Sequence, residues 1–170
     1  MRNPVFGIAY TLLVIVQMII CNYFQFSPYF VISILPAMVL CIPLTISTNL
    51  CMLIAFVTGL AVDWLAEGLI GINAAALIPV AYARMTFVRI FLGEDLISRK
   101  DAFTFRKNGA GKIMIALLSS YVLFFAVYIF LDGAGERTFM FNTLRLLLSL
   151  VFSVILGLLV VSSLNKEDRK

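Results

Sequence analysis

Residues 4–24 and 113–131 carry no charged side chain, and each run is long enough to cross a bilayer as a helix. Water is absent from the bilayer core, so a spanning segment must satisfy its backbone polar groups internally, and a lone apolar run does so as a helix. Further apolar runs at 28–43, 50–65, 73–91 and 138–164 predict an all-α integral membrane protein. The expected architecture is a bundle of six transmembrane helices forming one domain over residues 1–170, with a cytoplasmic loop at 93–112. Composition agrees. Hydrophobic residues make up 62% of the chain and charged ones 13%, about half the charged share of a soluble domain.

The weakest of the six is 28–43. It is short for the roughly 20 residues a span needs, Pro28 suits a first helical turn, and Pro36 is expected to kink it. The run at 4–24 follows Arg2, but no small-residue cleavage site comes after it, so a retained helix is expected rather than a cleaved signal peptide. Cys21, Cys41 and Cys51 lie in or beside apolar runs, which predicts small buried side chains and no disulfide framework.

Six spans place both termini on one side. Arg2, Arg99, Lys100, Arg106, Lys107, Lys112, Lys166, Arg169 and Lys170 fall on that side, against Arg137 and Arg145 on the other. Cytoplasmic loops collect Lys and Arg, so both termini are expected in the cytoplasm. The net charge of +4 thus argues for topology and not for a nucleic-acid partner.

One stretch, residues 59–83, breaks the apolar pattern. Asp63 and Glu67 stand four apart, followed by Gly68, Gly71 and Asn73 before an alanine run. A carboxylate near a membrane boundary is costly to desolvate and calls for a partner. Glycines permit a tight turn, and Asn73 is expected to cap the next helix by accepting from its free amides. Ala55 and Gly59 have the small-xxx-small spacing that lets a second helix approach closely. Asp63 and Glu67 are candidate charge partners of Arg145, with Asp63–Arg145 the preferred pair.

This pattern, with Gly59, Asp63, Gly68, Gly71 and Asn73 followed by Tyr82 and Arg84, resembles the MreD family of rod-shape-determining membrane proteins. Chain length, helix order and the basic loop after the fourth helix extend the resemblance over nearly the whole chain, while Trp64 and Glu67 depart from the small or aliphatic residues expected in the turn. The resemblance implies a bacterial cytoplasmic-membrane scaffold of the cell-elongation machinery. Its implied partner is MreC, with RodA, a class B penicillin-binding protein and MreB in the same assembly that supports lateral peptidoglycan synthesis. It also implies a likeness in fold to the substrate-binding subunits of energy-coupling-factor transporters.

The chain has no histidine, which removes Ser/His/Asp triads, Cys/His pairs and imidazole metal ligands. Asp63 and Glu67 have no nucleophile or basic partner adjacent in sequence. No catalytic residue, cofactor or metal is therefore expected. The competing reading is a vitamin-binding transporter subunit, whose outward pocket would draw on Asp63, Trp64, Glu67 and Asn73. Arg89 reads as a cation snorkelling to lipid headgroups, whereas Arg84 lies deeper in its helix. The segment 95–105 mixes apolar and charged residues and is open to either an interfacial helix or a solvated loop.

Overall fold

The computed structural model describes residues 4–23, 29–67, 70–93, 110–133 and 138–164. Within them the chain is helical: α1 Pro4–Tyr23, α2 Leu35–Leu40, α3 Thr48–Val62 with a π-helical turn Asp63–Glu67, α4 Ile72–Leu92, α5 Ala110–Gly133 and α6 Phe139–Leu164. Five of these, all but α2, are long and apolar enough to cross a membrane. The basic residues that set the expected orientation lie mostly outside the described residues, as does the loop at 94–109.

The bundle reverses the soluble pattern. Large apolar side chains such as Ile8, Leu12, Leu53, Val57, Leu147 and Ile155 face outward, whereas Gln17, Thr58, Arg84, Ser120, Ser149 and Ser153 are buried. Lipid is as apolar as leucine, so burying hydrocarbon gains little there. Helices are instead held by close packing and by polar contacts between them. Gly59 and Gly157 supply the close packing. A Cβ on Gly59 would fall 2.5 Å from the Cα and N of Ala74, and one on Gly157 would fall 2.5 Å from the Tyr121 hydroxyl. Gly59 opposite Ala74, and Cys51 opposite Arg84, make α3 and α4 antiparallel.

The expected second span differs most from a plain helix. Only Leu35–Leu40 is helical, and residues 31–34 have no regular secondary structure, although residues 33–42 are all buried. Pro36 explains the break. A proline ring in a helix interior clashes with the carbonyl four residues earlier and removes the N–H that would bond it. That carbonyl is Ile32, and its oxygen accepts from Gln17 Nε2 at 3.1 Å instead. Proline is tolerated in a first turn, where its missing N–H would be unpaired anyway, so the helix begins at Leu35. Side chains satisfy the rest of the unwound backbone. Val31 N–H donates to Ser149 Oγ (2.8 Å), Ser33 N–H to Ser153 Oγ (3.0 Å) and Ile34 N–H to Gln17 Oε1 (2.8 Å). Irregular backbone at membrane depth is tolerated only where protein surrounds it and fills its hydrogen bonds. Rising pairings, 31 with 149 and 33 with 153, show that this segment runs in the same direction as α6.

Cys21, Cys41 and Cys51 are buried thiols outside any disulfide, as expected. The tyrosine hydroxyl of Tyr10 and Thr58 Oγ1 share a hydrogen bond of 3.1 Å, which ties α1 to α3. α1 is otherwise the most peripheral of the long helices. Of its apolar window 11% is buried, against 33% to 50% for the other four.

Candidate functional site

Two polar centres are built into the bundle, one at the α3–α4 turn and one at the level of Cys51. At the turn, Asp63 is 0% exposed. Its carboxylate accepts from the N–H of Gly71 (2.9 Å, Oδ2), the N–H of Asn73 (3.0 Å, Oδ1) and the N–H of Ala74 (3.2 Å, Oδ2). Asn73 Nδ2 donates a fourth bond, 2.9 Å, to Oδ1. The first amides of a helix have no partner within the helix, and its N-terminus carries a partial positive charge. Asp63 therefore caps α4 from across the turn with a full negative charge. Gly71, at φ +105°, is in the left-handed conformation that glycine adopts without penalty. It turns the chain so that these amides converge on one carboxylate.

This arrangement corrects two expectations. The sequence makes Asn73 the capping acceptor, but its side chain is a donor, and the acceptor is Asp63. The sequence also pairs Asp63 with Arg145, yet Arg145 Nη1 forms its ion pair with Asp132, thirteen residues earlier across the α5–α6 connection. The partner that Asp63 needs is a set of backbone amides, which a search for opposite charges does not find. Glu67 ends the π-helical turn, and its side chain, like Gly68, lies outside the described residues. Trp64, next in sequence to this Asp63–amide lock, is 72% exposed, and Leu65 and Ile70 are also exposed. Ala55 is fully buried, in keeping with the predicted small-residue face.

The Asp132–Arg145 pair is largely shielded, with side chains 15% and 8% exposed. Breaking a shielded pair from one side leaves the other charge uncompensated. Asp132→Asn and Arg145→Gln are each expected to lower thermal stability in detergent. Their double-mutant cycle should show a coupling of about 1 kcal/mol or more, whereas a cycle between Asp63→Asn and Arg145→Gln should show none. A coupling that appeared only in the second cycle would reassign the pair.

The second centre is Arg84. Sequence position marks it as deep, and the structure buries it to 1% exposure in the middle of α4. Its Nη1 donates to Cys51 Sγ at 3.1 Å. Its Nε and Nη2 are buried without a hydrogen-bond partner, as is the Tyr121 hydroxyl. The Arg84–Cys51 contact joins α4 to α3 at this level. The sequence signals that could have found it are weak, because cysteine and tyrosine in apolar helices ordinarily read as packing.

Among the described residues no group of three or more His, Cys, Asp or Glu could hold a metal ion. No family model, no curated protein and no solved structure matches this chain.

Proposed function

We propose that this chain is a scaffold of the bacterial cytoplasmic membrane that works in the rod-shape and cell-elongation machinery by making protein contacts, without chemistry of its own. The observation that supports this reading best is the saturation of Asp63. The charged group that interrupts the membrane sequence spends every bond it makes on the α4 N-terminus and Asn73. Close to it in sequence Trp64, Leu65 and Ile70 are exposed. Of the residues that resemble the MreD pattern, Asp63, Gly71 and Asn73 join in these bonds and Gly59 packs against Ala74, while Gly68 lies outside the described residues; this supports the reading.

The same observation weakens the transporter reading. Of the polar groups it would use for a pocket, Asp63 and Asn73 are buried and bonded to each other, and Trp64 faces outward.

In the proposed topology the chain passes the membrane six times, with the broken 29–42 segment as the second pass and both termini in the cytoplasm. The turn at Asp63 then faces outward, where a bitopic partner of the MreC type presents its extracytoplasmic part. RodA, a class B penicillin-binding protein and MreB would belong to the same assembly.

Co-purification tests this. Affinity capture of the full chain from bacterial membranes should retain a bitopic coiled-coil protein. Trp64→Ala removes no bond of the lock, so it should lower that capture roughly tenfold or more if Trp64 anchors the interface, with unchanged amounts of the chain in the membrane. Recovery of an ATPase-bearing transport module with a bound vitamin would instead support the transporter subunit.

A further inference from the structure

We infer that Arg84 is the binding site for one phosphate group of an anionic phospholipid. The argument begins with which of its nitrogens are engaged. Nη1 is fixed on Cys51 Sγ, and the two that lack partners are Nε and Nη2. Those two N–H groups lie side by side on one edge of the planar guanidinium. They form the fork that takes two oxygens of a phosphate or carboxylate in parallel bonds. The cysteine contact leaves that fork free and holds it in place.

Charge makes the same point. Among the described residues, Asp63 is committed to the α4 amides and Asp132 to Arg145, and neither forms an ion pair with Arg84. A guanidinium 1% exposed that pairs with neither of these carboxylates is costly in this setting. An anion on this unpaired edge would supply both the charge and the missing acceptors.

Depth selects the source. Cys51 lies in the first turn of α3, immediately below the exposed polar Thr45, Ser47 and Asn49. Three residues of helix are about 5 Å, so the guanidinium sits about one turn beneath a membrane boundary, within reach of a lipid phosphate drawn slightly inward. This inference stands apart from the scaffold reading and would survive its failure.

The test uses the purified full chain, delipidated in detergent and offered phosphatidylglycerol, phosphatidylcholine of the same acyl chains, or inorganic phosphate. Native mass spectrometry counts bound lipid, and thermal unfolding reads stabilisation. One phosphatidylglycerol should be retained in preference to phosphatidylcholine, with a rise in unfolding temperature. Arg84→Gln should lose that lipid, and Arg89→Gln should keep it. If Arg84→Gln does not fold, Arg84→Lys keeps the charge but not the fork, and its affinity should fall about tenfold or more. Stabilisation by inorganic phosphate equal to that by the lipid would overturn the lipid source. Equal retention of phosphatidylglycerol by wild type and Arg84→Lys would overturn the site, as would binding of neither probe, which would leave the fork to a carboxylate from another chain.

Discussion

Asp63→Ala is expected to destabilise the protein by roughly 3–5 kcal/mol, more than a lost helix cap accounts for. Removing a capping side chain usually costs about 0.5–2 kcal/mol, because water replaces the lost acceptor. Here the N–H groups of Asn73 and Ala74 belong to fully buried residues, and a buried donor left unmade costs about 1–3 kcal/mol. The Asn73 side-chain amide would lose its acceptor as well. Asp63→Asn should fall between wild type and alanine. Its amide oxygen can still accept on one side, but its NH2 would face the N–H groups that now bond Oδ2, and the charge that matches the helix dipole is gone. Trp64 is the single tryptophan and adjoins the lock, so its fluorescence reports unfolding where the change is made. An Asp63→Ala protein that unfolded at the wild-type temperature would show that the carboxylate bonds contribute nothing net.

How far the sequence predicted these features depended on the kind of signal. The five long helices follow from long apolar runs with few or no charges, and their ends fall within about three residues of where those runs place them, as when 73–91 becomes Ile72–Leu92. The run at 28–43 looked similar, but an apolar stretch without periodicity cannot separate a helix from buried irregular chain. The decisive clue was Pro36, read as a kink when its clash with the Ile32 carbonyl instead delays the helix start. Gln17, Ser149 and Ser153 were the complementary clue. Each is a polar residue in an apolar helix, and each turned out to satisfy the same unwound backbone. At the turn, Asp63, Gly71 and Asn73 meet in one hydrogen-bonded group and Gly59 packs on Ala74, while Gly68 lies outside the described residues; the bonds themselves are not readable from sequence. A carboxylate accepts equally well from arginine or from amides, and only the three-dimensional path of the turn decides between them. Asp132 reads in the sequence as part of a polar connection, which hides its pairing with Arg145.

Gly59→Ala provides the second large effect, and its sign runs against helix propensity. Alanine in place of glycine inside a helix ordinarily gains about 0.5–1 kcal/mol. Gly7, where an added Cβ meets nothing within 4 Å, should follow that rule, so Gly7→Ala should be neutral or slightly stabilising. At Gly59 the added Cβ would lie 2.5 Å from the Ala74 Cα and N and 2.8 Å from the carbonyl carbon of Asn73. These are backbone atoms of α4, so no side chain can rotate out of the way, and the two helices must part by roughly an ångström to reach ordinary contact. Overpacking of this kind costs about 1–3 kcal/mol by itself. It also strains the lock, because the Ala74 N–H that Gly59 faces is already at 3.2 Å from Asp63 Oδ2. The net effect of Gly59→Ala is therefore a loss, larger again for Gly59→Leu, while Leu60→Ile should change little. The shared atom makes a further demand. Once Asp63→Asn has loosened the bonds to Ala74, separating the helices has less left to break, so the double variant should lose less than the two single losses combined. Thermal unfolding of the four proteins in one detergent measures this directly. Strict additivity would mean that the close helix approach and the carboxylate lock are independent structures that happen to meet at Ala74.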